Sequence, residues 1–458
     1  MSWIGAIILL SVLVFVHEMG HLLAGLAVGI KAEAFSIGFG PIIFRKTIKG
    51  IDFRFSIIPF GGYCKFKGEM SEDGKVEDDD FISMSPLKRI IVYFAGPFFN
   101  YLFAFLLLVI LVSIPSTVDL YSPTISVFKD AKYMHAKSGN TLAYEYGMRS
   151  GDTITAVNGT KVNYDNDVLK LINEEAIQKN ADSINFTLNR KSAESGNIET
   201  VNVSIPSVEI LKALSGEKAL GFYFGGDLII KNVVRDSAAE EAGLQAGDKI
   251  LAVNNINADN IADFRPLIMD NALNKITITV LRDGEEITRE AMPKPVESKN
   301  GTYGSLGIEF MSTPVKVEKI DGTSFPKSIP EAFKETGKYI VSYVNGLKLL
   351  FTGKLSVREN LGGPVRIIQL SSQVISVSVD RIRTILSFTA TISLILFLMN
   401  LLPLPVVDGG MIVFSFIELI MRRPIDRKVL TKIQAFGAAF LITLAIFITI
   451  NDITQIFK

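Results

Sequence analysis

Residues 3–28 read WIGAIILLSVLVFVHEMGHLLAGLAV, an apolar run that is long enough to cross a bilayer as a helix. Inside it lie three ionisable residues, His17, Glu18 and His21. Ionisable groups are costly in a membrane span, so their clustering indicates a compensating role. Because residues four apart share a helix face, both imidazoles can bind one Zn²⁺ while Glu18 points toward the metal-bound water. The alternative is two histidines that make ordinary hydrogen bonds within a helix.

Three further stretches have the length and composition of membrane spans, Ile90–Ile114, Ile385–Leu402 and Ile433–Ile450. The chain of 458 residues is 48% hydrophobic with a mean hydropathy of +0.34, which is high for a protein that is soluble throughout. We therefore expect a protein integral to the membrane, with about three domains. The first run resembles a signal peptide, but no basic residue precedes it and cleavage would remove the candidate metal site, so we expect it to be retained.

Basic residues cluster in two of the links between these runs, whereas no Lys or Arg precedes the first run. By the positive-inside rule both links face the cytoplasm, which places both termini and the long middle region outside. The basic residues are Lys31, Arg45, Lys46, Lys49, Arg54, Lys65, Lys67, Lys75, Lys88 and Arg89 in the first link, and Arg422, Arg423, Arg427, Lys428 and Lys432 in the last.

The overall charge argues against a polyanionic partner, because 47 Lys and Arg residues balance 47 Asp and Glu residues. No basic cluster is interleaved with aromatic residues, so we expect no nucleic-acid binding. The single cysteine, Cys64, cannot form an intrachain disulfide, and cysteine usage therefore does not report the redox compartment.

The middle region contains a repeated unit, AYEYGMRSGDTITAVNG at residues 143–159 and EEAGLQAGDKILAVNN at residues 240–255. The glycines, the Gly-Asp pair and the Val-Asn pair recur at one offset. Each unit later ends in a Gly between apolar residues, Gly221 in the first and Gly307 in the second. This pattern resembles the PDZ domain, with the carboxylate-binding loop in the bacterial permuted order. The resemblance implies grooves that bind peptide C-termini by strand addition; the alternative is a pair of spacer domains that bind no peptide.

Two histidines leave a catalytic zinc short of a ligand, because such sites usually have three protein ligands and a water. Ala24 and Ala27 occupy the places of the glycine and third histidine of a soluble metzincin, so that arrangement is excluded. A better candidate is Asp408, in NLLPLPVVDGG at residues 400–410. Taken alone, Asp-Gly favours an ordinary turn at this position over a metal ligand.

The His-Glu-x-x-His motif in the first run and the Asn-x-x-Pro-x-Pro-x-x-Asp-Gly motif near the third resemble the signature of the site-2 proteases, which are intramembrane zinc metalloproteases. Val407 departs from the family, which usually has Leu there. The resemblance implies that Asp408 completes a Zn²⁺ site with His17 and His21. It also implies substrate-binding roles for Asn400, Pro403, Pro405, Gly61 and Gly62, although Asn400 is equally suited to cap a helix end. Further matching segments are Gly38–Gly40, Ile58–Tyr63, Gly96–Asn100 and Gly362–Val365.

We therefore expect a multi-pass α-helical membrane protein with four transmembrane helices, a membrane re-entrant β-loop and two inserted PDZ-like α+β domains. The β-rich segment before Gly61 would hold a substrate extended in the membrane, or would be an ordinary cytoplasmic hairpin. Apolar spacing over Ser328–Phe351 predicts an amphipathic helix, either on the outer membrane face, where the family implies a gating role, or packed against the PDZ-like pair. The expected domains are residues 1–120 (first membrane domain), 121–224 and 225–311 (PDZ-like domains), 312–384 (amphipathic segment) and 385–458 (second membrane domain).

The resemblance implies hydrolysis of a peptide bond in a substrate's transmembrane helix, with Glu18 taking the proton from the attacking water. Substrates would be single-span proteins already trimmed outside, such as membrane-bound anti-sigma factors and remnant signal peptides. The protein would lie in the bacterial inner membrane, with the PDZ-like domains outside and the active site near the cytoplasmic face. A membrane-anchored, zinc-binding PDZ scaffold is the alternative. A metal transporter is disfavoured because the spans are few and contain no further acidic or histidine cluster.

Overall fold

The computed structural model describes residues 2–69, 77–179, 181–192, 196–214, 216–225, 227–298, 301–355, 362–363, 366, 370 and 380–456. Contacts divide the chain into two compact units. The membrane unit comprises Met1–Pro115, Asp321–Val344 and Leu361–Lys458, and the insert unit comprises Ser116–Ile320 and Asn345–Asn360. Pro364 and Val365 of the Gly362–Val365 segment, and most of the stretch between 356 and 379, lie outside the described residues.

The α-helices, numbered in chain order, carry most of the membrane unit. They are α1 Ser2–Ala27, α2 Pro86–Ser113, α3 Leu142–Glu145, α4 Asp165–Asn173, α5 Ser207–Leu214, α6 Ala238–Glu241, α7 Ile261–Met269, α8 Phe325–Phe351, α9 Arg381–Asn400, α10 Asp408–Met421 and α11 Arg427–Ile456.

The strands lie mainly in the insert unit, apart from the first two. They are β1 Ala32–Ile48, β2 Ile51–Phe66, β3 Ser116–Leu120, β4 Ile125–Val127, β5 Thr153–Val157, β6 Thr160–Lys161, β7 Ser183–Lys191, β8 Ile198–Pro206, β9 Phe222–Phe224, β10 Ile230–Val233, β11 Lys249–Val253, β12 Ile256–Asn257, β13 Ile276–Arg282, β14 Glu285–Ala291, β15 Lys294–Ser298, β16 Gly301–Ser305, β17 Ile308–Phe310 and β18 Lys316–Ile320.

Four of the described helices are long and apolar enough to cross a membrane, namely α1, α2, α9 and α11. They coincide with the four runs predicted from the sequence. The predicted link between the last two spans is not a simple loop, because it contains the separate helix α10. Helix α2 packs against α1, α9 and α10, and therefore forms the centre of the membrane unit.

The pair β1 and β2 follows α1 and is antiparallel, with an irregular register. The first half of β1 has partners from both ends of β2: Ala34 pairs with Lys65 on one side and with Asp52 on the other. Between residues 39 and 58 the pair exposes large apolar side chains, including Ile43 at 63%, Phe44 at 61% and Ile57 at 58%. An apolar surface of this kind is typical of a segment that contacts a membrane or another protein.

The two sequence repeats fold into two four-stranded sheets of matching order, β6-β5-β7-β8 and β12-β11-β13-β14. Each sheet has its own apolar core. The recurring Gly-Asp pair makes the same contact twice: Asp152 accepts two hydrogen bonds from Arg190, and Asp248 accepts two from Arg282. The repeated residues therefore connect the turn before β5 to the neighbouring strand β7, and the turn before β11 to the neighbouring strand β13.

Helix α8 contributes to the cores of both units. Its Ala332, which is fully buried, and Tyr339 and Tyr343 pack with residues of α2 and α9 in the membrane unit. Toward its end, Leu349 is 4% exposed within the core of the first repeat, and Asn345 Nδ2 donates to the Ile177 carbonyl, also in the insert unit. The predicted helix is therefore present, and its two parts belong to different units.

Candidate metal centre

His17 and His21 lie one turn apart on α1, and Asp408 is the first residue of α10. Asp408 Oδ2 is 3.1 Å from His17 Nε2 and 3.5 Å from His21 Nε2, and the two Nε2 atoms are 3.2 Å apart. Asp408 follows the two histidines by almost 400 positions in the chain. The structure therefore brings together the three residues that the motifs predict as ligands.

The donor set fits a zinc ion. With Zn–N and Zn–O bonds of about 2.0–2.1 Å, the corners of a tetrahedron lie about 3.3 Å apart, and the three measured separations bracket that length. Two imidazole nitrogens and one carboxylate oxygen leave the fourth corner for a water or a substrate oxygen, as in catalytic zinc sites. The other described acidic cluster, Glu77, Asp79 and Asp80, differs because Asp79 is paired with Lys31 and Lys67.

Asp408 reaches the histidines because the chain turns sharply after α9. Pro403 and Pro405 cannot continue a helix, and the chain restarts as α10 at Asp408. Gly409 and Gly410 pack directly on this turn: an added Cβ would lie 2.3 Å from the Leu402 carbonyl oxygen at Gly409 and 1.9 Å from that of Leu404 at Gly410. The Asp-Gly-Gly sequence therefore does not close the turn itself, but begins the helix that follows it.

Glu18 faces β2. Its carboxylate lies near the backbone N–H of Cys64, and Gly62 approaches so closely that an added Cβ would lie 3.1 Å from Glu18 Cγ. Glu18 therefore directly follows His17 in the sequence, and the backbone of β2 lies beside its carboxylate. A carboxylate next to an open zinc corner is suited to move a proton to and from a water molecule.

The sequence matches the family described as Peptidase family M50 over residues 5–444. The chain belongs to this family. A putative zinc metalloprotease of Treponema pallidum is 31% identical to it, and the regulator of sigma E protease of Haemophilus influenzae is also 31% identical. The regulator of sigma-E protease RseP of Escherichia coli is 28% identical. Each alignment covers 98% of this chain and 98% of the relative.

Membership confirms the resemblance to the site-2 proteases that the two motifs indicated, and it makes the chain a zinc metallopeptidase of the membrane. The roles of the individual residues rest on the geometry. In this M50 peptidase, Asn400 is the last residue of α9 and immediately precedes the turn with Pro403 and Pro405. Pro405 also lies against α11, where an added Cβ on Gly437 would come within 2.9 Å of it.

Two contacts of the histidines were missed by the sequence analysis, and both come from α2. His21 Nδ1 is 2.8 Å from the Val92 carbonyl oxygen, and His17 Nδ1 is 3.2 Å from the amide of Asn100. The Gly-Pro-x-x-Asn segment that ends at Asn100 matches the family, but its spacing indicates no contact with α1. A backbone carbonyl such as that of Val92 leaves no signal in the sequence.

Helix α10 is held at both ends. At its start Asp408 meets the histidines, and near its end the buried Glu418 pairs with Arg89 of α2. Glu418 also accepts from the backbone N–H of Ile425, beyond the helix. An ion pair of this kind inside the membrane unit costs desolvation energy, and removal of one partner would leave the other charge buried and unpaired. Here it connects the helix that carries Asp408 to the helix that contacts both histidines.

The predicted loop glycines lie in the insert unit, and both have positive φ angles, +103° at Gly221 and +73° at Gly307. An added Cβ would collide with Thr141 at the first and with Ser237 at the second. Thr141 and Ser237 cap the short helices α3 and α6. The two loops are therefore built alike, and glycine is required in each for both conformation and space.

Proposed function

We propose that this M50 peptidase hydrolyses a peptide bond within or beside a substrate's transmembrane helix, with His17, His21 and Asp408 as the zinc ligands and Glu18 as the general base. The observation that carries the proposal is the triangle of ligand atoms, with sides of 3.1 to 3.5 Å, at the place where Glu18 meets β2. A zinc ion held there would polarise the scissile carbonyl and lower the pKa of a bound water to about 7.

Glu18 would then take a proton from the attacking water and pass it to the leaving amine, so that no covalent intermediate with the protein is needed. The nearby backbone N–H of Cys64 would orient the carboxylate. Since the spanning helix α1 carries both Glu18 and the two histidines, the spacing of their backbones follows from helix geometry.

We propose that β2 holds the substrate extended at the metal centre. A peptide bond inside a helix has its carbonyl engaged in the helix hydrogen bonds, so cleavage needs an unwound segment. Strand addition to β2 would supply backbone partners for such a segment. Gly61 and Gly62 have no side chain to obstruct it, and Asn400, Pro403 and Pro405 lie on the segment that leads to Asp408. The exposed apolar part of β1 and β2 supports a re-entrant position in the membrane.

We further propose single-span membrane proteins as substrates, trimmed beforehand on the outer side. Relatives named regulators of sigma-E protease support anti-sigma factors as one class, and remnant signal peptides are a second. The protein would lie in the bacterial inner membrane, with the metal centre near the cytoplasmic face, as the basic links suggest. The two repeats would be PDZ-like domains outside, acting as a size filter or binding peptide C-termini at Gly221 and Gly307.

The test is cleavage of a reporter transmembrane helix by purified protein in detergent. Wild type should cleave it, Glu18→Gln should retain zinc but lose cleavage, and His21→Ala should lose both. Zinc content is measured on each preparation so that loss of the base is separated from loss of the metal. Cleavage retained by Glu18→Gln would overturn the proposed role of Glu18. If wild type held zinc and cut none of several trimmed substrates, a zinc-binding scaffold would replace the protease proposal.

A further inference from the structure

Asn100 of α2 is fully buried beside the metal centre, and its amide Nδ2 is 3.2 Å from His17 Nδ1. Its backbone carbonyl accepts a hydrogen bond from Ser393 Oγ of α9 at 2.7 Å. Among the described residues, its side-chain oxygen Oδ1 has no hydrogen-bond partner. A buried amide oxygen without a partner costs free energy, so this arrangement calls for a second state in which the oxygen is used.

The tautomer of His17 identifies that state. His17 Nε2 is the nitrogen that faces Asp408 and His21, and a nitrogen that binds a metal carries no proton. The ring proton must therefore lie on Nδ1, which becomes a donor. A donor opposite the Asn100 NH₂ group would be repelled, but a half-turn of the amide exchanges its nitrogen for Oδ1 without changing its shape.

We propose that Asn100 is a positioning residue of the metal centre, whose Oδ1 accepts a hydrogen bond from His17 Nδ1–H and so determines the tautomer and the ring orientation of that ligand. The inference rests on the proposed assignment of His17 as a zinc ligand. Outer contacts of this type commonly govern zinc affinity, because they hold the imidazole in the orientation that binding requires.

Helix α2 also contacts the second histidine, His21. His21 Nδ1 is 2.8 Å from the Val92 carbonyl oxygen, so both rings are oriented by acceptors on α2. Val92 and Asn100 are eight residues apart, close to two helical turns, and therefore lie near one face of α2. A neutral amide also suits the surroundings, because a carboxylate in its place would add a charge inside a membrane span.

The experiment measures zinc affinity by competition with a chelator in full-length protein in detergent. Asn100→Ala should weaken zinc binding by about 10- to 100-fold, the range typical of lost outer contacts. Ser393→Ala is the matched control, because it removes the hydrogen bond to the Asn100 backbone and leaves the amide in place; its zinc affinity should equal that of wild type. Asn100→Leu, nearly equal in volume, separates the lost acceptor from a cavity and should weaken zinc binding like Asn100→Ala.

Asn100→Asp distinguishes positioning from packing. Its carboxylate can accept from His17 Nδ1–H, so we expect zinc affinity closer to wild type than in Asn100→Leu. A purely structural role predicts the reverse order, because a buried carboxylate is costlier than an apolar side chain. The reverse order, or wild-type affinity in both Asn100→Ala and Asn100→Leu, would overturn the inference.

His17→Ala keeps the two proposals apart. If His17→Ala retained wild-type zinc affinity, the ligand assignment itself would fail, and the role of Asn100 with it. If His17→Ala lost zinc while Asn100→Leu bound it as wild type does, only the positioning role would fail. Thermal unfolding of the zinc-free proteins shows whether each variant is folded before its affinity is interpreted.

Discussion

At the scale of single residues, two glycines allow α1 and α2 to approach each other at the metal centre. A Cβ added to Gly20 would lie 2.4 Å from the Ala95 carbonyl oxygen, and one added to Gly96 would lie 2.2 Å from His21 Nε2. Small residues let helix backbones come close within membranes, where tight packing drives association. Here the close approach also lets the Val92 carbonyl reach the ring of His21, a proposed ligand.

Gly96→Ala should therefore weaken zinc binding by more than about tenfold, because the new methyl group displaces the ring that Val92 orients. Gly346→Ala in α8 is the matched control: an added Cβ there meets no atom within 4 Å, and alanine favours the helix by up to about 1 kcal/mol. Chelator competition measures both variants. Equal zinc affinity in the two would mean that His21 tolerates displacement and that the packing of α2 does not position it.

At the scale of elements, the insert unit shows how the repeated Gly-Asp pair acts in the fold. Asp248 is 1% exposed and accepts from Arg282, which also donates to the Gly243 carbonyl. Burial alone raises the pKa of the Asp248 carboxyl, but the hydrogen bonds from Arg282 and from the Gln245 N–H outweigh it and hold the pKa below its usual value. Through Arg282, the repeated residue Asp248 thus connects the turn before β11 to strand β13 and to Gly243, an earlier glycine of the motif.

The second repeat should accordingly lose stability in acid. Because the folded pKa of Asp248 lies below its unfolded value of about 3.9, the pair stabilises the fold above about pH 4, and this contribution is lost as the pH falls through the folded pKa. Asp248→Asn should destabilise the repeat at pH 7 by on the order of 3 kcal/mol, because Arg282 loses its charged partner. The variant's stability should then change less than that of wild type between pH 5 and 2.

Proteolysis of the full-length protein across this pH range, with cleavage sites within β11 to β14 located by mass spectrometry, measures the effect. Glu285→Gln is the control, since Glu285 is exposed on β14 and its replacement should leave the pH dependence unchanged. An identical acid response in wild type and Asp248→Asn would show that this carboxylate does not contribute to the pH dependence.

At the scale of the whole molecule, one strand pair joins the two ends of Ser116–Ile320, the larger segment of the insert unit. β3 and β18 are antiparallel, with Ser116 opposite Ile320 and Leu120 opposite Lys316. The two ends of this segment therefore lie side by side, and the sequence between β3 and β18 can be removed without separating these two strands. Such a deletion would expose Leu349 of α8, because this residue is buried in the core of the first repeat.

Deletion of residues 121–315, with Leu120 joined to Lys316 through an Asn-Gly turn, should allow cleavage of an untrimmed substrate if the insert acts as a size filter. Leu349→Ser is made in both the deleted and the full-length protein. The deleted protein then does not expose an apolar side chain at position 349, and the two proteins differ only in the deletion. Both should cleave a trimmed substrate at similar rates, which shows that the metal centre is intact. Continued rejection of the untrimmed substrate by the deleted protein would exclude the filter.

Much of this protein was predictable from local patterns. Each membrane span is a run of about 20 apolar residues, the two histidines lie four residues apart on one helix, and the repeats share one offset, so each signal is contained within a short stretch. The proposed third ligand was different. From the residues alone Asp408 favoured a turn, and the resemblance to a family was needed to assign it to the metal.

Contacts between distant elements were decided only by the tertiary structure. The amide of Asn100, the carbonyl of Val92 and the Arg89–Glu418 pair act on the metal centre or its helices from α2. Leu349, at the end of α8, joins the core of the first repeat. Periodicity reveals which face of a helix is buried, but not which atoms lie opposite that face. Those partners are brought together by the packing of α1, α2, α9 and α10, which depends on the whole chain at once.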